Sequence, residues 1–186
     1  MAQRSYNPIM AVVLLIFLTW SVAITALAAQ DDQKSEMFET INERQQTSWE
    51  TAKQIWNWAE PGYQETKSSA LLIKTLRSQG FDIKSGVAGM PTAFTATFGK
   101  GKPVIGMLGE YDALPGLSQQ ATPQRAQTEH NSNGYGHGCG HHLLGVASME
   151  GAIAIAQQIK AGNIQGTIRY YGCPAEEGGS AKVFMV

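Results

Sequence analysis

The chain has 186 residues and a formal net charge of −1, with an apolar fraction of 43%. That size fits a single domain and that apolar content suffices for a packed core. The near-neutral balance excludes the polybasic or polyacidic surface expected of a nucleic-acid or anionic-membrane binder.

The first thirty residues differ from the rest. Arg4 is the lone charge before a continuous apolar run, Ile9–Leu18, and Thr19–Ala29 stays mostly apolar. Ala26-Leu27-Ala28 then supplies the small-x-small pattern that signal peptidase reads, and polar, acidic residues begin at Gln30. Residues 1–29 are therefore expected to be a secretory signal, which makes the mature chain periplasmic or secreted. The alternative is an uncleaved anchor over Ile9–Ala29, a stretch close to the ~20 apolar residues that span a bilayer.

From Asp31 to Trp58, apolar residues at Met37, Ile41, Trp49, Ile55 and Trp56 predict helix, stopped by Glu60-Pro61-Gly62. Ser68–Ser78 predicts a second helix, closed by Gln79-Gly80. Phe81–Lys84 and Pro91–Phe98 carry strand signals, Gly99–Lys102 reads as a turn, and Pro103–Leu108 reads as a buried strand. Leu117–Gly138 is polar and glycine-rich, so it is expected to be a long loop. His141–Ala161 has helical spacing and ends at Gly162, and Thr167–Tyr171 is a further strand. Alternating helices and strands predict an α/β layered domain. Sites in such sheets gather beyond the carboxyl ends of the strands, where three polar clusters fall.

The first cluster, Gly136-His137-Gly138-Cys139-Gly140-His141-His142, places three histidines and a cysteine within six residues. Thiolate and imidazole are preferred ligands of zinc and related ions, and the glycines let the backbone close round an ion. A position just before a helix is expected to favour the thiolate of Cys139. A solvated His-rich loop is the plain alternative. The second cluster, Pro174-Ala175-Glu176-Glu177-Gly178-Gly179, puts two carboxylates after a strand. In an extended segment these point opposite ways, one free for a metal and one for proton transfer. Alone, the pair reads better as an ordinary solvated acidic turn. The third is Asp112, at the end of the strand from Pro103, which could orient a ligand histidine or merely cap a turn. Cys139 and Cys173 are the only cysteines, and a disulfide between them is the ordinary expectation in an oxidising compartment.

Together, Gly109–Leu114, Gly136–His141 and Tyr171–Gly179 resemble the aminoacylase/carboxypeptidase-type metallopeptidase family, in the amidohydrolase branch that acts on aminobenzoyl-glutamate, hippurate and auxin conjugates. The resemblance runs from about Met37 to the end of the chain. It implies a zinc-peptidase-like α/β catalytic domain, a mixed sheet flanked by helices, over residues 30–186. It implies a metal-dependent amidohydrolase that cleaves the amide of a small N-acyl amino acid such as aminobenzoyl-glutamate. Cys139, His141 and Glu177 would be metal ligands. Glu176 would be the catalytic base that takes a proton from the attacking water and returns it to the leaving nitrogen, with Asp112 supporting. Cys173 would be a buried structural thiol. His142 departs from the acidic or amide residue that the family carries there, and no role is assigned to it.

The ion would be zinc or manganese, two ions in full-length members. Those members continue through a lid and dimerisation domain that supplies two further histidines, and that domain is expected to be absent from this chain. Residues 30–186 are accordingly expected to be a partial catalytic domain with little or no turnover alone, and a homo-dimer or hetero-oligomer is expected only of a full-length form. The competing readings are an exported metal-binding protein without hydrolase activity and a disulfide-bonded structural domain.

Overall fold

The computed structural model describes residues 32–129 and 133–185. The signal expected over residues 1–29, and the alternative span Ile9–Ala29, lie outside them.

Two helices open the described part: α1 (32–43) and α2 (Gln45–Trp58), separated by a turn at Arg44. Ala59 ends α2 in the left-handed region, at φ 41°. Helix α3 (Thr66–Ser78) has no capping side chain at its own N-cap. The Glu60 carboxylate does that work from outside, accepting the backbone N–H groups of Lys67 at 3.0 Å and Ser68 at 2.8 Å, and the Ser68 hydroxyl at 2.7 Å. These are the otherwise unpaired donors of a helix start. Strands β1 (Asp82–Ser85), β2 (Phe94–Lys100) and β3 (Val104–Glu110) follow. A long loop then leads to helix α4 (His141–Ala161), strand β4 (Gly166–Cys173) and two short helical turns, α5 (Glu176–Gly179) and α6 (Ala181–Met185).

The sheet order is β1-β2-β4-β3. β1 pairs antiparallel with β2, and β2 antiparallel with β4, while β3 lies parallel to β4. This is the mixed sheet that the family resemblance implies. The β3–β4 register pairs Leu108 with Tyr171 and Glu110 with Cys173, so both strands end at the same level. A parallel pair needs a crossover, and α4 supplies it. Gly145 of α4 lies against the backbone of Glu110, where a Cβ would clash with the carbonyl oxygen, and its own carbonyl accepts the Tyr170 hydroxyl at 3.1 Å. On the far side α2 packs on α4, and the Arg44 guanidinium pairs with the buried Glu150.

The core between sheet and helices contains Ile55, Leu72, Leu76, Phe94, Met149, Ile153, Ile168 and Tyr170. Phe94 stacks between Tyr111 and Tyr170, with ring centroids 6.3 and 5.7 Å away.

Two sequence expectations need correction. The strand read as buried, Pro103–Leu108, is the edge strand β3, and Val104, Ile105 and Leu108 are each about half exposed. An apolar run shows that a strand forms but not where it sits in the sheet. The other concerns the Glu-Glu segment. It is not extended: Ala175 is left-handed, at φ 50°, and turns the chain into α5.

Candidate metal centre

His141 is the hub of the site. It is the first residue of α4, preceded by Gly140 at φ 84°, and its side chain is 3% exposed. That left-handed conformation is open to glycine at little cost. The Nδ1–H of His141 donates to Asp112 Oδ1 at 2.8 Å. The other Asp112 oxygen accepts the backbone N–H of Glu177 at 3.0 Å. One buried carboxylate thus fixes the tautomer of the imidazole and the start of α5, so that Nε2 faces the cluster. Burial pushes the Asp112 carboxyl up, but the His141 bond and the Glu177 N–H outweigh it and hold it below its ordinary value. The same His141–Asp112 bond is the main reason that His141 lies above the usual histidine range.

Two donor types, thiol and carboxylate, converge opposite that imidazole. Ligand atoms of Cys139, His141 and Glu177 all lie within 4.8 Å of one another, and so do those of Glu110, His141 and Glu176. His141 Nε2 is 3.0 Å from Glu110, 3.7 Å from Glu176 and 3.9 Å from Glu177. Both members of the Glu-Glu pair approach the same nitrogen because they sit in a helical turn, not on opposite sides of a strand. Thiol, imidazole and carboxylate are a donor set that suits zinc and is compatible with manganese. The clustered negative charge also suits a cation.

The Cys139 thiol is exposed, and the Glu177 carboxylate beside it is the main cause that pushes its pKa up. This is opposite to the effect expected of a helix start: without a cation, a neighbouring carboxylate outweighs a weak dipole. A cation between the two would reverse the sign. Cys173 is buried and also unpaired, so the disulfide reading is not what the structure shows. Burial raises its thiol to about 11.

Glu110 carries no role in the sequence reading, yet it is the group nearest to His141 Nε2. The signal was there: residues two apart in a strand share a face, so Glu110 follows Asp112 to His141. Its second oxygen pairs with the Lys182 ammonium of α6. That pairing outweighs burial and lifts Lys182 above its ordinary value.

His137 and His142 do not join the cluster. They lie 5% and 7% exposed on the opposite side, their rings 4.8 Å apart and packed on Trp56. His137 Nε2 meets the Ile55 carbonyl at 3.2 Å, and neither Nδ1 has a partner among the described residues. Burial is the main cause that lowers both imidazoles to about 4.

A cavity of about 430 Å³ opens beside the cluster, lined in part by Tyr63, Asp112, Tyr135, Glu177 and Gly178. A second, of about 580 Å³, lies on the Trp56 side, between Trp49, Lys53 and His142.

No family model matches the chain. It is 47% identical over 149 residues to one of the subunits of the p-aminobenzoyl-glutamate hydrolase of Escherichia coli, a stretch that covers 80% of this chain and 31% of the relative. It is 30% identical over 131 residues to "Thermostable carboxypeptidase 1" of Saccharolobus solfataricus, covering 68% of this chain and 31% of that one. A solved Bacillus subtilis structure, described as "a Dinuclear Metal Binding Peptidase from M20 Family", superposes with a TM-score of 0.55 at 25% identity, covering 77% of this chain and 36% of the other. The chain spans about a third of the length of the curated relatives that it matches.

Proposed function

Because this chain belongs to the aminoacylase/carboxypeptidase-type metallopeptidase family, in its amidohydrolase branch, we propose that it contributes the metal-binding half-site of a hydrolase for N-acyl amino acids. The substrate class we favour is N-aminobenzoyl-glutamate, after the name of the Escherichia coli relative. The observation that carries the reading is the convergence of Cys139, His141 and Glu177 on one point, with a further carboxylate, Glu176, at its edge.

In this reading Cys139, His141 and Glu177 hold a divalent cation, zinc or manganese. When bound, the ion supplies Lewis acidity, which polarises the scissile carbonyl and makes a water easier to deprotonate. The remaining work falls to the chain. Glu176 is 38% exposed, so it can meet both substrate and solvent. It takes one proton from the attacking water as the C–O bond forms, and gives it to the amide nitrogen as the C–N bond breaks. The products are a carboxylic acid and a free amino acid. Asp112 keeps His141 Nδ1 protonated, so that its Nε2 lone pair faces the ion. The cavity beside Tyr63, Asp112 and Glu177 is the space for the substrate.

Replacing Glu176 with glutamine tests this. In a full-length form of the protein, hydrolysis of N-(4-aminobenzoyl)glutamate should fall by 10²-fold or more, on the order of a general base's contribution, with cation affinity within about twofold. Cation binding by a full-length form that shows no turnover before the substitution would favour the metal-binding reading instead.

A further inference from the structure

Glu65 is a fully buried carboxylate that the proposed chemistry does not use, and among the described residues no cation pairs with it. Burial is the main cause that pushes its pKa up, against hydrogen bonds that pull it down. Such a group is costly to bury, so what it holds matters. One oxygen accepts the Thr92 hydroxyl at 2.9 Å. The other accepts the backbone N–H of Ala175 at 2.8 Å, across 110 residues of sequence.

Ala175 is the residue that turns β4 into α5, and it does so in the left-handed region, at φ 50° and ψ 44°. An L-alanine stays there only where its surroundings over-determine it. Segment 60–65 supplies those surroundings. Gly62 lies so close to Ala175 that a Cβ at position 62 would come within 2.9 Å of the Ala175 methyl. The Tyr63 hydroxyl donates to the Gly179 carbonyl at 2.6 Å, at the far end of α5. Of the non-glycine residues with positive φ, four (Ala59, Tyr63, Ala175 and Ser180) belong to this junction. The strain is local, and it sits immediately before Glu176 and Glu177.

We propose that Glu65 is a positioning residue for the metal centre: by holding the Ala175 N–H it fixes the backbone turn that brings Glu176 and Glu177 to His141. The inference rests on the metal-centre reading of Cys139, His141 and Glu177. Without this bond Ala175 relaxes towards extended backbone, and the two carboxylates swing apart as they would on a strand.

Cobalt(II) titration of the chain, read by the thiolate charge-transfer absorption of Cys139 and by competition with a chelator, tests it. Glu65→Gln keeps an oxygen for the Ala175 N–H and can reverse its bond with Thr92, so its affinity should stay within about threefold of wild type. Glu65→Asp keeps the charge but is one methylene short, and should lose about 10- to 100-fold, the usual cost of removing an outer partner of a metal ligand. Glu65→Ala should lose as much. If the alanine variant does not fold, the contrast between glutamine and aspartate decides. Retained affinity in Glu65→Asp with loss in Glu65→Gln would mean that charge acts and not the bond, and would overturn the proposal. Unchanged affinity in Glu65→Asp and Glu65→Gln alike would overturn it too. Failure of the wild-type chain to bind cobalt would instead overturn the metal-centre reading itself.

Discussion

Replacing Asp112 with asparagine exchanges one carboxylate oxygen for an amino group at nearly constant volume. The two oxygens serve two donors, His141 Nδ1 at 2.8 Å and the Glu177 N–H at 3.0 Å, and an amide can satisfy only one of them. If the amide oxygen faces Glu177, the amino group faces Nδ1. His141 must then move its proton to Nε2, the atom a cation would need. If the oxygen faces His141, the Glu177 N–H is left against a donor and the start of α5 loosens. Either way both bonds lose their charged acceptor, and one of the two is reversed or unmade, which costs on the order of one hydrogen bond to a charged group, about 1.5–3 kcal/mol. At 1.4 kcal/mol per tenfold, cobalt affinity should fall by about 10- to 100-fold. The His141 pKa should fall as well, because the Asp112 bond is the largest of the effects that raise it. Chelator competition reads the first effect, and NMR titration of the imidazole C–H signals reads the second. An Asp112→Asn variant that folds, binds cobalt within twofold of wild type and leaves the His141 titration in place would refute the argument.

The buried pair His137 and His142 predicts a pH dependence of stability. Both are held neutral, at about 4 in the fold against an ordinary value of 6.5. As pH falls below 6.5 the unfolded chain takes up protons that the folded chain refuses. Stability is therefore full above about pH 6.5 and declines between 6.5 and 4, by up to about 1.4 kcal/mol per pH unit for each histidine. Urea unfolding across that range should show a shallower decline in His142→Phe, and an unchanged slope would contradict the assignment. The thiols give a separate check. In the native, metal-free and non-reduced chain a maleimide should label Cys139 alone, zinc should protect it, and Cys173 should react only on unfolding. Absence of any label would restore the disulfide reading.

Much of this arrangement is legible in the sequence because its punctuation is local. Gly140 and Gly162 bracket α4, so its limits can be read directly. The alternation of Phe94, Thr95, Ala96 and Thr97 shows a strand with one buried side. The three polar clusters lie at strand and helix ends, and the mixed α/β sheet brings those ends together. What could not be read depends on distant contacts. The helical form of Glu176–Gly179 follows from the left-handed Ala175, clamped by a carboxylate 110 residues earlier. The edge position of β3 follows from strand order, which an apolar run does not encode. The raised thiol of Cys139 follows from Glu177, a neighbour only after folding. Glu110 was within reach, by the two-residue period that links it to Asp112.

Leu114 and Gly136 exchange two backbone hydrogen bonds of 2.9 Å, each N–H meeting the other's carbonyl. This pair closes the excursion of residues 115–135 at its neck, just after Asp112 and just before Cys139. The cluster round His141 is thereby insulated from whatever the outer part of the excursion does. Insertions or replacements at its tip add little closure entropy and need not propagate past the neck. The polar segment Gln119–Glu129, part of which lines the cavity on the Trp56 side, can thus change in length or composition without moving Asp112 or Cys139. The outer excursion and the metal centre are two separable parts of one short β–α–β unit.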